Sequence, residues 1–229
     1  MNIDSLEKIV NLEQRDIAVL CDFDGTITTT ETLGFLFSEF AESRFEYARQ
    51  WARGEIDMRD EIRLTFDTVK ATKEEMEQGL NKIEIIPGFR EFFNFGREKG
   101  YTFAIISDGL EWYIKHFLER YDIHDIPIYA NRIIFEPDGF RFEFPWFDEE
   151  THRRGVCKPK IARSYRKHAE TLVFVGDGRS DIDVIHEADI VYSRGWLAGY
   201  CFAKGLGEDE YFDWYDVKEK FQMLNLNGK

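Results

Sequence analysis

Basic residues, cysteines and long apolar runs are all scarce in this sequence. Thirty Lys and Arg stand against 44 Asp and Glu in 229 residues, a formal net charge of −14. Nucleic-acid binders gain most of their affinity by neutralising phosphates with Lys and Arg, so this deficit excludes a nucleic-acid partner. It excludes docking on an anionic membrane surface for the same reason. The three cysteines, Cys21, Cys157 and Cys201, are odd in number and far apart. That excludes a disulfide framework and fits a reducing cytoplasm. No apolar run approaches the ~18–20 residues of a membrane-spanning helix. The start, MNIDSLEKIV, lacks a basic segment followed by an apolar one, so no secretory signal is read there and a cytoplasmic protein is expected. Internal repeats and low-complexity segments are missing too. What is present is a 43% hydrophobic, 16% aromatic composition, enough to bury a full core without a metal or disulfide staple.

The apolar pattern alternates between short runs and helical stretches. Residues 17–22 (IAVLCD), 101–107 (YTFAIIS), 172–177 (LVFVGD) and 189–192 (DIVY) are short and β-rich, most of them stopped by Asp or Gly. Buried parallel strands read as such continuous runs. Between them, helices are expected from Pro87-Gly88 to about Gly100, from Leu110 to Tyr121, from Lys158 to His168 and from Ser180 to Glu187. Strands joined by helices of this length predict βαβ crossovers and an α/β fold with a doubly wound parallel sheet.

Residues 30–85 break that rhythm. Leu33, Leu36, Phe37 and Phe40 recur at helical spacing, as do Ile62, Phe66 and Val69, and then Met76, Leu80 and Ile83. This predicts an all-helical domain inserted after the first strand, over the sheet's C-terminal edge, with 1–29 and 86–229 forming the α/β core domain. Pro137-Asp138-Gly139 between NRIIFE and FRFEF predicts a β-hairpin over 131–146. Phe140, Phe142 and Phe144 alternate with charged residues there, as on a strand with one buried face. Tyr211, Phe212, Trp214 and Tyr215 are expected to cover the sheet edge. Cys21 is expected to be inert inside its strand, and the five histidines show no metal-ligand spacing.

The first strand ends in Asp22-Phe23-Asp24-Gly25-Thr26. Two carboxylates two residues apart at a strand end point the same way, into the crevice where open α/β sheets bind ligands. Gly25 permits a tight turn whose backbone N–H groups can face a phosphate. Ser107-Asp108-Gly109 follows the second strand, Lys158-Pro159 opens a helix, and Gly176-Asp177-Gly178-Arg179-Ser180-Asp181 follows a third strand. Each is a common motif alone; their order and placement together are not.

With these four motifs the chain resembles the haloacid dehalogenase superfamily of phosphohydrolases over essentially its whole length. The helical insertion resembles the cap of the phosphoserine phosphatase branch. The resemblance implies an Mg²⁺-dependent phosphomonoesterase with Asp22 as nucleophile and Asp24 as general acid and then base. It further implies metal ligation by Asp22, Asp177 and the Asp24 carbonyl, with Asp181 orienting the metal shell and Lys158. Thr26, Ser107 and Lys158 would bind the phosphoryl group, beside Asp108 and Gly109. The partner would be a small phosphorylated metabolite, the enzyme a monomer or homodimer.

Substrate readings stay open. Glu31, seven residues after Asp24, matches the phosphoserine phosphatase Glu that receives an ammonium group, or is an ordinary helix-start acid. Arg63 or Arg59 would be the cap's carboxylate-binding arginine, though neither falls in register. Ser-Asp-Gly in place of Ser-Gly-Gly counts against a carboxylate substrate. The hairpin followed by Cys157-Lys158-Pro159 resembles the methionine-salvage phosphatases that act on 2-hydroxy-3-keto-5-methylthiopentenyl 1-phosphate, and their phosphocholine and phosphoethanolamine relatives. Cys157 stands alone, so no zinc site is expected. Phosphoserine phosphatase proper is the alternative within the family. A phospho-receiver or a catalytically silent metal scaffold would be another class, against which Asp24 and the helical insertion argue.

Overall fold

The computed structural model describes residues 2–3, 15–206 and 209–226; the MNIDSLEKIV start lies almost wholly outside them. Strand β1 (Arg15–Cys21) pairs in parallel with β2 (Thr102–Leu110) on one side and β5 (Ala169–Gly176) on the other. Cys21 is level with Ile105 and with Val175, so the loops leaving these strands emerge side by side. Beyond β5 lies β6 (Ile190–Ser193); beyond β2 lies β3 (Ile128–Glu136), which turns back into the antiparallel β4 (Gly139–Glu143). The order is β4-β3-β2-β1-β5-β6.

Helices α1 (Thr32–Phe40), α2 (Glu46–Arg53), α3 (Met58–Phe66), α4 (Lys73–Leu80) and α5 (Phe89–Glu98) lie between β1 and β2. Their starts carry local signals: Glu31, Asp57 and Thr72 cap α1, α3 and α4, the last as a capping box with Glu75. Helix α6 (Glu111–Arg120) joins β2 to β3, α7 (Lys158–Arg166) precedes β5, and α8 (Gly195–Lys204) and α9 (Trp214–Leu226) follow β6.

Strand alternation divides the core into two layers. Val19, Cys21, Ile105, Val173 and Val175 face one layer, filled by Phe89, Phe92 and Phe93 of α5 and Trp214 and Phe221 of α9. Ala18, Leu20, Ala104, Ile106, Leu172 and Phe174 face the other, covered by Ile161, Ala162 and Tyr165 of α7. Leu33, Phe37, Ile62, Phe66, Met76 and Leu80 from α1, α3 and α4 belong to the first layer. The inserted helices are therefore packed continuously with the sheet's own core.

Two expectations need correction, on residues 180–187 and on the C-terminal aromatics, and one is met. Residues 180–187 form two short 3₁₀ turns, Arg179–Asp181 and Ile185–Glu187, in place of a helix. Asp181 Oδ2 accepts the backbone N–H groups of Asp177 and Gly178, a local bonding pattern that competes with helix formation. The expected hairpin is present within 131–146: Arg132–Glu136 pair antiparallel with Gly139–Glu143, and β4 forms the edge of the sheet. Its Phe140 and Phe142 pack on Phe66 of α3 at 5.3 and 5.1 Å between ring centres. Of the C-terminal aromatics, Tyr211 N–H donates to Ser193 O and covers the β6 edge, whereas Phe212 and Tyr215 are exposed.

Candidate active site

Residues from four elements converge where β1, β2 and β5 end. Asp22 leaves β1 and is 5% exposed, its Oδ1 accepting the Phe23 N–H at 2.7 Å. Lys158, the first residue of α7, is buried and reaches Asp22 Oδ1 at 3.0 Å and Asp181 Oδ1 at 2.6 Å. Asp181 is thereby held through both oxygens, one on Lys158 and the other on two backbone N–H groups. The Thr26 hydroxyl donates to Asp177 Oδ1 at 2.7 Å, and Trp214 Nε1 donates to the Thr26 carbonyl at 3.0 Å, bracing the first loop from α9. Gly25 has φ +77°, and a Cβ there would fall 2.4 Å from Asp177 Oδ2. Only glycine lets these two loops approach so closely.

Asp24 is gripped from two sides: Thr32 N–H donates to Oδ1 at 3.0 Å and the Tyr113 hydroxyl to Oδ2 at 2.7 Å. Ser107 lies where the β2–β3 register shifts between Ile106 and Leu110, a bulge that turns Ser107, Asp108 and Gly109 out of the ladder. Ser107 Oγ accepts the Gly109 N–H at 3.0 Å. Asp108 Oδ1 accepts the N–H groups of Gly155 and Val156 at 3.0 and 2.9 Å. It thus ties the bulge to the loop preceding Lys158, while its buried Oδ2 has no partner among the described residues.

Acid outweighs base here. Burial, followed by the Asp181 carboxylate, pushes Asp22 above its ordinary range, against the pull of Lys158. Burial and then Asp181 raise Asp177 to about 6, with the Thr26 hydroxyl opposing. Burial acts downward on the Lys158 ammonium, but Asp181 and Asp22 outweigh it and hold it above the usual lysine value. One buried ammonium thus faces Asp22, Asp24, Asp177 and Asp181. Asp22, Asp177 and Asp181 bring carboxylate oxygens within 4.8 Å of one another, a hard-oxygen donor set suited to Mg²⁺. A second cluster, Asp148, Glu150 and Cys157, has its carboxylates on Lys160 and Arg163.

These groups open into a cavity of about 360 Å³, bordered by Asp22, Asp24, Ser107, Asp108, Gly109 and Asp177 at one end. Leu33, Phe37, Phe45, Trp51 and Met58 from the inserted helices border it too, with Glu31 and Glu61. Glu31 is exposed, but its surface borders the cavity; the protein packed around it, and then Asp24, push its carboxyl up to about 8. Its Oε2 also accepts the Gly34 N–H, so it is a helix cap and a cavity residue at once. Arg63 stands elsewhere: half-exposed, 3.8 Å from Asp60, its guanidinium 4.8 Å above the Phe144 ring. Arg59 pairs with Asp57 and covers Phe147. Neither borders the cavity. The guanidiniums that do are Arg154 and Arg179, from the loops bearing Lys158 and Asp177. Sequence reasoning missed these two, and Glu61, Trp51 and Tyr113, because their relation to the site is made through space.

The chain's likenesses agree with this geometry. A family model of haloacid dehalogenase-like hydrolases matches residues 19–186. A 2-hydroxy-3-keto-5-methylthiopentenyl-1-phosphate phosphatase of an Exiguobacterium species is 27% identical over 215 residues, covering 91% of this chain and 98% of that protein. One from Lysinibacillus sphaericus is 28% identical, covering 90% and 94%. In solved structures, a phosphoserine phosphatase from T. onnurineus superposes with a TM-score of 0.63 at 21% identity, over 90% of this chain and 94% of that one. A phosphoserine phosphohydrolase-like protein from Francisella tularensis gives 0.63 at 18%, over 91% and 99%. With its motifs gathered at the ends of β1, β2 and β5 and the family match spanning most of its length, the chain belongs to the haloacid dehalogenase-like hydrolases.

Proposed function

We propose that this protein is an Mg²⁺-dependent phosphomonoesterase that hydrolyses a small phosphorylated metabolite through a phosphoaspartate on Asp22. The observation that carries the reading is a buried Asp22 held 3.0 Å from Lys158, with Asp24 on the same cavity. The Asp22 carboxylate oxygen attacks phosphorus while the ester oxygen leaves with the proton of Asp24, splitting a difficult displacement into two steps. Asp24 then takes a proton from water as that water's oxygen attacks the phosphoaspartate, releasing phosphate and restoring Asp22. Lys158, Ser107 and Thr26 serve the phosphoryl end, Thr26 through Asp177, while Asp181 holds Lys158 in place. The Asp22 and Asp177 carboxylates and the Asp24 carbonyl would hold Mg²⁺, which when bound would offset the charge of the phosphate and the carboxylates.

Residues 30–85 act as a cap on a core of 1–29 and 86–229. The adjoining entry and exit of that segment support the division: Thr28 bridges Ile85, and Ile86 N–H donates to Ile27 O. Residues 1, 4–14, 207–208 and 227–229 of those spans lie outside the described ones.

For the substrate we infer the methionine-salvage ketose phosphate, supported by what the similar proteins are called and by a cavity wall of Leu33, Phe37 and Met58 that suits a methylthio chain. One observation favours a second reading, a phosphorylated amino alcohol: Glu31, Glu61 and Asp108 border the same cavity. Phosphoserine itself would set its carboxylate against those three acids.

Phosphate release from a panel of these esters, with Mg²⁺ and with chelator, tests the reading. Asp22→Asn is expected to leave under a few per cent of the rate, about 2 kcal/mol or more of barrier. Retained activity would refute the nucleophile.

A further inference from the structure

Tyr113 stands in the first turn of α6 and is fully buried. Its ring packs against Phe23 and Trp112 at 6.0 and 6.4 Å between centres, as a core residue's would. Its hydroxyl does something a core residue need not do: it donates to Asp24 Oδ2 at 2.7 Å. The opposite oxygen, Oδ1, takes the Thr32 N–H at 3.0 Å, at the first residue of α1. The carboxyl is therefore held from the inserted helices on one side and from the sheet's own helix layer on the other. Gly109 keeps this approach open, since a Cβ there would lie 1.9 Å from Tyr113 Oη and 2.7 Å from Asp24 Oδ2. Two hydrogen bonds to opposite oxygens fix a carboxyl's plane. Each oxygen retains a further lone-pair site, available to groups in the cavity that Asp24 borders.

We propose that Tyr113 is a positioning residue that locks the Asp24 carboxyl in the orientation for proton transfer to the leaving oxygen. The proposal rests on the phosphomonoesterase reading above. The Asp24 proton passes to the ester oxygen as its bond to phosphorus breaks, and the Tyr113 O–H stays intact, ready to donate to the carboxylate that results. Because geometry governs proton transfer, the loss of one locking bond acts only where transfer is needed.

The test is Tyr113→Phe, which removes one oxygen and keeps the ring. The measurement is kcat/KM for an alkyl phosphate and for p-nitrophenyl phosphate on the same preparation. Nitrophenolate departs without an acid, an alkoxide does not. The expected result is a loss of about 10-fold or more on the alkyl ester, within the ~10²–10⁴-fold of general acid catalysis. The nitrophenyl ester should stay within about twofold of wild type. The folded fraction cancels in this ratio, so partial misfolding cannot imitate the result. Equal losses on both esters, or no loss on either, overturn the role of Tyr113. Asp22→Asn runs alongside: if it turns over, the phosphoaspartate reading itself falls, whatever Tyr113→Phe does.

Discussion

Glu61 carries a stability cost that the geometry makes measurable. It sits in α3, 7% exposed, bordering the cavity. Burial first, and the Asp108 charge second, push its carboxyl from 4.5 up to about 7. An acid raised in the fold binds more protons folded than unfolded between those two values. Stability therefore falls as pH rises through that window and stays lower above it. Each tenfold change in proton affinity is worth ~1.4 kcal/mol, so ionising Glu61 in place costs at most about 3 kcal/mol. Glu61→Gln keeps the shape and removes the charge. Urea denaturation at pH 5 should separate the two proteins by less than ~1 kcal/mol, and at pH 8 should favour the Gln variant by about 2–3 kcal/mol. Parallel stability curves across that range would refute the argument, for they would mean Glu61 is solvated or paired. A residue that destabilises the apo fold near neutral pH is expected to return the cost in substrate binding. Activity of the same variant on the ester panel reads that directly.

Two further substitutions probe the site's scaffold. Lys158→Met should lose about 3–5 kcal/mol at pH 7 by urea denaturation, because Asp22 and Asp181 are left as buried charges without a counter-ion. Lysine is raised in the fold, so its contribution is whole below ~10.4 and fades only as pH climbs through the higher folded value; a loss under ~1 kcal/mol at pH 7 would show the pair is hydrated. Gly109→Ala should cost ~1–3 kcal/mol in thermal melts through its clash with Tyr113 Oη, and combining it with Tyr113→Phe should recover part of that. Additive losses would mean the clash lies elsewhere.

The sheet was legible because buried parallel strands announce themselves as short apolar runs ended by Asp or Gly, as β1 and β5 do. What escaped was structure whose signal is divided between two environments. β3 opens buried beside β2 and ends half-exposed beside β4, so only its second half, facing the turn at Pro137–Gly139, looks like a strand of a hairpin. Residues 180–187 follow a strand, where a crossover helix is expected, yet Asp181 is pulled back onto the Asp177 and Gly178 N–H groups and onto Lys158. A side chain with three partners outside the helix outweighs the few tenths of a kcal/mol that propensity contributes.

The same distinction separates the readable part of the site from the rest. Asp22, Asp24, Ser107, Lys158 and Asp177 sit at strand ends or a helix start, positions that sequence can locate, and the fold brings all five together. Residue type singles out Arg63 but cannot set the rotation of its helix, which turns it toward Phe144. Glu61, two residues earlier on that helix, faces the cavity instead. A helix advances about 100° per residue, so this separation is enough to exchange a cationic pocket wall for an acidic one. Asp108 shows the complementary case. Its type suggested a charge beside phosphate, but one oxygen is spent on the Gly155 and Val156 N–H groups and only the other remains for a ligand. Which residues of the inserted helices and loops border the cavity therefore depends on helix rotation and loop bonding, quantities that no motif encodes, while the placement of the motif residues depends on strand ends, which motifs do.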